Sequence, residues 1–157
     1  MKFDRSSLTV SSVIALVIGL AVTVSGVHAH KGATGVVMER MMAMKSMGDA
    51  MKSLAAMVTG KAVFEADEVH KIGSRIKAHA ADIPTMFPKG SIKGPSEATP
   101  AIWSDWESFK KHASELEKLA TQLEGEAGSQ KSVALGLFAK MGKTCSGCHE
   151  DFRQKKN

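Results

Sequence analysis

Helical periodicity extends over nearly all of the chain beyond residue 30, and it is the feature that most limits the possible fold. Apolar residues recur every third or fourth position, and no segment shows the alternation of a half-buried strand. Four such stripes begin at Val37, Val69, Trp106 and Val133. Because an amphipathic helix must bury its apolar stripe against other elements, the pattern predicts an all-α protein.

The four stripes are separated by proline and glycine. The first stripe consists of Val37, Met41, Met44, Gly48, Met51, Ala55 and Val58. The second consists of Val69, Ile72, Ile76, His79 and Ile83, and Pro84 is expected to end it. The third consists of Trp106, Phe109, Ala113, Leu116, Ala120 and Leu123. The fourth consists of Val133, Leu137, Met141, Cys145, Cys148 and Phe152.

The lengths of the connections indicate how the helices are arranged. Residues 84–100 hold all four prolines of the chain together with Gly90 and Gly94, so they form one long connection. The first and third connections are short, and residues 124–130 form the third. Short first and third connections around a long middle one predict an antiparallel four-helix bundle.

Residues 1–29 have the pattern of a secretory signal peptide. Lys2 and Arg5 are followed by an apolar run over residues 13–24 and by the small-residue pattern Val27-His28-Ala29. The alternative is an uncleaved membrane anchor, which requires a longer apolar run. We expect cleavage near Ala29, a bundle domain over residues 30–157, and a periplasmic protein with no membrane attachment after cleavage.

The charge pattern limits the choice of partners. The net charge is +5, and no run of basic residues is interleaved with aromatic ones, so nucleic-acid binding is not expected. A mildly basic surface favours acidic protein partners.

The most specific motif is Cys145-Ser146-Gly147-Cys148-His149. Its two thiols and imidazole are spaced three and four positions apart, so on a helix all three share one face. A disulfide, a thioredoxin-like redox pair and a zinc site are alternatives. The disulfide leaves His149 without a role, the redox pair normally follows a strand, and zinc needs further ligands.

Cys-x-x-Cys-His is also the attachment signature of c-type haem. The two thiols form thioethers with the porphyrin, and the adjacent imidazole binds the iron. The motif and the export pattern together predict one covalently attached haem c, with its iron, held by Cys145, Cys148 and His149. No Met or His follows His149, so any sixth iron ligand is expected upstream.

Four segments of the chain resemble the class II c-type cytochromes, which comprise cytochrome c′ and its low-spin relatives. The segments are residues 36–54 (VVMERMMAMKSMGDAMKSL), 87–91 (FPKGS), 100–109 (PAIWSDWESF) and 141–153 (MGKTCSGCHEDFR). The resemblance implies a four-helix bundle in which haem is inserted between helices near the C-terminal one. It also implies that His149 is the proximal ligand.

The resemblance further implies two roles on the first helix. Arg40 matches an arginine expected near a haem propionate, and Met44, four positions later, matches the residue that faces the open side of the iron. Met44 is therefore the predicted sixth ligand, although a methionine-rich helix can also use Met44 for packing. Arg153, four residues beyond His149 and predicted to share its helical face, is a further candidate for the propionate contact.

Two functions follow from the behaviour of Met44. If Met44 binds iron, the protein is an electron carrier with His/Met ligation that exchanges single electrons with redox partner proteins. The alternative is a five-coordinate cytochrome c′ that binds nitric oxide or carbon monoxide. Val37, Met41, Met44 and Gly48 offer no acid or base, so an enzyme is not expected. Met38 and Met42 suggest a possible homodimer.

Overall fold

A computed structural model describes residues 32–125 and 129–155 of the chain. This part contains five helices: α1 (Gly35–Val58), α2 (Ala66–Asp82), α3 (Ala101–Ser104), α4 (Trp106–Glu124) and α5 (Lys131–Phe152). The four long helices, α1, α2, α4 and α5, form a four-helix bundle, which confirms the predicted fold class. The predicted signal peptide, residues 1–29, lies outside the described residues.

Helix α1 carries two neighbouring apolar faces, and only one of them belongs to the core. Apart from Val58, the predicted stripe is half-buried, and its members line cavities. The buried face lies one position earlier along the helix and contains Ala43, Met47, Ala50, Leu54 and Met57. The prediction for this helix therefore identified the cavity face instead of the core face. Adjacent positions differ by about 100° around a helix, so two apolar faces can lie side by side.

Helices α2 and α4 make the most extensive helix contact in the bundle. Their backbones meet at Gly73, where a Cβ would lie 2.8 Å from Glu124 Cα and 2.9 Å from Leu123 C. Lys77 of α2 forms an ion pair with the carboxylate of Glu124. The predicted apolar stripes of both helices supply the core here, because Val69, Ile72 and Ile76 are almost completely buried and face α4 residues such as Leu123.

The long middle connection is more ordered than its composition suggests. It begins with a 3₁₀ helix at Ile83–Met86, so Pro84 ends α2 without ending the helical course of the chain. The buried ring of Phe87 meets Phe109 edge to face at 4.9 Å, and Trp103 Nε1 donates to the Phe87 carbonyl at 3.0 Å. Asp105 then begins α4 by accepting a hydrogen bond from Ser108 N at 3.3 Å.

The last helix differs from its prediction at both ends. Val133 was placed on the apolar stripe but is 37% exposed, and Ala134 is buried instead. Helix α5 ends at Phe152, and Arg153 has an extended backbone with φ −115° and ψ 143°. Arg153 therefore does not continue the helical face that carries His149. None of the helices in residues 32–125 and 129–155 has the length and apolar character needed to cross a membrane.

Gly73→Ala is expected to lower the free energy of unfolding by about 2 kcal/mol, because the new methyl group would collide with backbone atoms that cannot move aside. Gly136→Ala is the matched control in α5, where a Cβ meets nothing within 4 Å. It should raise stability by about 0.5–1 kcal/mol. Denaturant unfolding followed by circular dichroism measures both, and equal effects at the two positions would contradict the close helix contact.

Candidate cofactor site

The Cys-x-x-Cys-His motif lies in the last two turns of α5 and faces the bundle interior. Cys145 and Cys148 are half-buried free thiols packed against the hydrophobic core. Burial raises the pKa of Cys145 above its usual range. Burial, together with the nearby Cys145 and Asp151, raises the pKa of Cys148 to about 11. Both sulfur atoms are therefore neutral thiols at neutral pH, within an apolar environment.

Two cavities border the motif. One has a volume of about 420 Å³ and is lined by residues of all four long helices, including Met51, Ile76, Leu116 and Cys145. The other has a volume of about 610 Å³ and is lined by α1, the long connection and the end of α5. Met44, Cys148 and His149 line both cavities. The structure thus brings the predicted proximal ligand, one predicted thioether and the predicted sixth ligand to a common boundary.

Most of the α1 residues that line these cavities are apolar, and Arg40 and Lys52 are the charged ones among them. Val37, Met41 and Met44 line the larger cavity, and Gly48 and Met51 line the smaller one. This is the stripe that the sequence identified, and it lines the same two cavities as His149. The side chains of this stripe have no ionisable group, so this face of the site can exclude water but cannot transfer a proton.

Arg40 is the buried charged residue of the described structure, with 5% of its surface exposed. Its Nη2 donates to the Ser91 carbonyl oxygen, and its guanidinium carbon lies 4.3 Å from the centre of the Phe87 ring. Its Nε and Nη1 are buried without a hydrogen-bond partner. Burial also lowers the pKa of Arg40 below its usual value, although the group remains charged near neutral pH. The guanidinium therefore has unused donors at the edge of the larger cavity.

Arg153 lines the larger cavity, but its guanidinium already has an acidic partner. Its Nε donates to Glu97 Oε2 at 2.7 Å, and its Nη2 contacts the same oxygen. Contact between Arg153 and a haem propionate stays a prediction. Arg153 lies beyond the end of α5 and faces Glu97, so the helical spacing on which that prediction depended does not apply.

His149 is partly exposed, and its surroundings favour the neutral imidazole. Partial burial lowers its pKa, Arg153 acts in the same direction, and Glu97 acts in the opposite one. The neutral imidazole is the form that binds a metal ion. The electrostatics at His149 therefore suit the role of an axial ligand.

The sequence did not identify His112 of α4 as part of the site. The His112 ring lines the smaller cavity, and its Nε2 lies 3.3 Å from Asp151 Oδ2. Its Cε1 lies 3.3 Å from where a Cβ on Gly147 would stand, so the ring packs directly on the middle of the motif. The available signal was the position of His112 beside the apolar stripe of the third predicted helix. His79, in contrast, lies 3.1 Å from Ser46 Oγ and lines neither cavity.

These residues fit a covalently attached haem. Two thiols and an imidazole share one helix face, an apolar stripe of α1 lines the same cavities, and a buried arginine has two unused donor nitrogens that suit a carboxylate. Among residues 32–125 and 129–155, no three His, Cys, Asp or Glu side chains are grouped closely enough to hold a metal ion. Haem needs no such group, because its porphyrin supplies four of the iron ligands.

Comparisons with known proteins agree with this geometry. The family model described as cytochrome c′ matches residues 35–153. A cytochrome c′ of Rhodopseudomonas palustris is 34% identical over 145 residues, which cover 92% of this chain and 97% of that protein. A cytochrome c-556 of Agrobacterium tumefaciens is 40% identical over 114 residues, which cover 72% of this chain and 92% of that protein.

Solved structures show the same fold. The cytochrome c′ of Rhodopseudomonas palustris superposes with a TM-score of 0.73 at 32% identity, covering 80% of this chain and all of that one. A nitric oxide complex of a cytochrome c′ variant from Alcaligenes xylosoxidans gives a TM-score of 0.70 at 25% identity, covering 77% of this chain and 94% of that one. A carbon monoxide-bound variant from the same organism gives a TM-score of 0.69 at 25% identity, covering 76% of this chain and 94% of that one.

Arg40→Met is expected to lower the free energy of unfolding of the haem-bearing protein by about 3 kcal/mol. The reason is that a haem propionate paired with Arg40, as the sequence predicts, would lose its partner charge, and the hydrogen bond from Arg40 to the Ser91 carbonyl oxygen would be lost as well. Arg75→Met, at an exposed position of α2, is the matched control and should change stability by less than about 0.5 kcal/mol. Thermal unfolding followed at the haem absorption band measures both. An Arg40→Met protein as stable as the original would show that no carboxylate pairs with Arg40.

Proposed function

Since the chain belongs to the cytochrome c′ family, whose members carry one covalently attached haem c, we propose that it binds small diatomic gases at a five-coordinate iron. The observation that carries the proposal is that the apolar stripe of α1 and His149 line the same cavities, because an apolar pocket suits small neutral ligands. Relatives of the same fold have been solved with nitric oxide and with carbon monoxide bound. The comparisons support this alternative better than the His/Met-ligated electron carrier that the sequence favoured.

Electron transfer is the second candidate, and the position of Met44 favours it. Met44 lies on the boundary of both cavities together with His149, so its thioether faces the space where a sixth ligand would bind. With both axial positions filled, iron changes its surroundings little on reduction, which suits exchange of single electrons with a redox partner protein. Ligation by Met44 is thus the one feature that separates the two candidates.

Each side chain of the site has a different role in binding haem. When bound, the haem supplies an iron that takes a small ligand or one electron. Cys145 and Cys148 would anchor it through thioethers, His149 would bind the iron, and Arg40 would pair with a propionate through its unused donors. Met44 would limit the room for a ligand in the cavities that it lines with His149, and its apolar neighbours would exclude water. The lack of an acid or base on that face supports a binding or carrier protein instead of an enzyme.

Export to the periplasm is a further part of the proposal. It rests on the signal-peptide pattern of residues 1–29 and on the need to attach haem c outside the cytoplasm. Release from the membrane after cleavage near Ala29 follows from the same pattern. A homodimer stays a prediction, because Met42 of α1 is 52% exposed but a single exposed apolar side chain does not define an interface.

Absorption and electron paramagnetic resonance spectra of the mature haem-bearing protein test the proposal directly. We expect a high-spin ferric spectrum, and a ferrous absorption band that shifts when carbon monoxide is added, because a five-coordinate iron has a free position. A low-spin spectrum that does not change when carbon monoxide is added would contradict gas binding and support the electron-transfer function. A protein without covalent haem would contradict both candidates.

Met44→Ala is expected to raise the affinity for carbon monoxide about tenfold, because it removes the side chain that crowds the open side of the iron; tenfold corresponds to about 1.4 kcal/mol. Met42→Ala, an exposed methionine on the same helix that lines neither cavity, is the control and should leave the affinity unchanged. Titration of the ferrous proteins with carbon monoxide gives both affinities. Equal carbon monoxide affinities in the two variants would show that Met44 does not border the space where the gas binds.

A further inference from the structure

The end of α5 is held by a segment more than fifty residues earlier in the chain. Phe152 O accepts hydrogen bonds from Thr99 N at 2.9 Å and from Thr99 Oγ1 at 3.3 Å. Gln154 N donates to Glu97 O at 2.7 Å, and Ala98 and Arg153 form an antiparallel bridge. The long connection thus supplies partners for backbone groups that a helix end leaves unpaired. We call residues 97–99 and 152–154 together the clasp.

One ion pair joins the side chains of the clasp. Arg153 donates through Nε at 2.7 Å and through Nη2 to the same oxygen of Glu97. The two side chains are 43% and 40% exposed, and an isolated ion pair at such exposure contributes at most about 1 kcal/mol to stability. The ion pair therefore matters less for its own energy than for the backbone hydrogen bonds beside it, which it helps to hold in place.

The clasp adjoins the cofactor site. Arg153 N donates to the His149 carbonyl oxygen at 3.2 Å, so the clasp begins where the helical turn of His149 ends. Glu97, Ala98 and Arg153 line the larger cavity together with Cys148 and His149. Two opposite charges consequently stand beside the residue that is expected to bind iron, and each is paired with the other.

We propose that Glu97 is a positioning residue which, through Arg153, fixes the His149 turn of α5 and balances the charge beside the iron. A ferric site carries one more positive charge than a ferrous site, so a nearby anion favours the oxidised form and a nearby cation favours the reduced form. Because Glu97 and Arg153 are paired, their opposite effects on the iron cancel, and the pair keeps the helical turn of His149 in place. The proposal requires bound haem c, but it holds whether the protein binds gases or carries electrons.

The charge balance is tested with Glu97→Gln, Arg153→Gln and the double variant, each in the haem-bearing protein. At a fixed ambient potential, Glu97→Gln should raise the ratio of reduced to oxidised protein about threefold, and Arg153→Gln should lower it about threefold. The double variant should return close to the original ratio. Lys77→Gln is the control, since it removes a cation from an ion pair that lines neither cavity, and it should leave the ratio unchanged.

Hydrogen exchange tests the positioning role without reference to the iron. The amides of Thr99 and Gln154 should exchange about threefold to fivefold faster in Glu97→Gln and in Arg153→Gln, the increase that the loss of at most about 1 kcal/mol allows, and at the original rate in Lys77→Gln. Unchanged exchange in both clasp variants would overturn the proposal, as would ratios that shift in the same direction in both. Carbon monoxide titration of the same samples reports on gas binding separately, so the failure of one proposal is distinguishable from the failure of the other.

Discussion

Close packing of α2 on α4 is the constraint that determines where the bundle has interior space for the site. At Gly73 the two backbones approach so closely that no side chain fits between them. Helices α1 and α5 are in less extensive contact, and between them lie long methionine side chains and the half-buried cysteines. One side of the bundle is therefore tight, and the other leaves interior space. A bundle that was equally tight on all sides would have no room for a flat cofactor.

The buried guanidinium of Arg40 connects that space to the long connection. A buried charge is costly unless it is paired, and here a carbonyl oxygen of Ser91 and the ring of Phe87 satisfy only part of the group. A propionate would satisfy the rest, and cofactor binding and folding stability would then be coupled at this residue. The same contacts hold the connection, including Phe87 and Ser91, against α1. The FPKGS segment thus helps to form the site without supplying a ligand.

The clasp is a second place where a polar contact joins the long connection to a helix beside the larger cavity. Arg40 fixes the early part of the connection, and Glu97 with Thr99 fixes the later part to the end of α5. The cofactor site is consequently enclosed by a loop that is anchored on two helices. His112 adds a contact from α4 to the middle of the motif. Each of the three contacts is made by a polar side chain, which specifies register more strictly than apolar packing does.

The sequence by itself determined the number of long helices, the length of the connections and the identity of the motif, because these depend on local spacing along the chain. Cys145, Cys148 and His149 share a helix face for the same reason, and so do Arg40 and Met44. The sequence could not distinguish the core face of α1 from its cavity face, because both are apolar and differ only in what stands opposite. It also placed Arg153 on a helix that ends one residue earlier, since the partner Glu97 lies 56 positions away. Only tertiary structure decided which apolar face borders open space, which charge is buried and which loop closes the end of α5, because each of these depends on residues far apart in the chain.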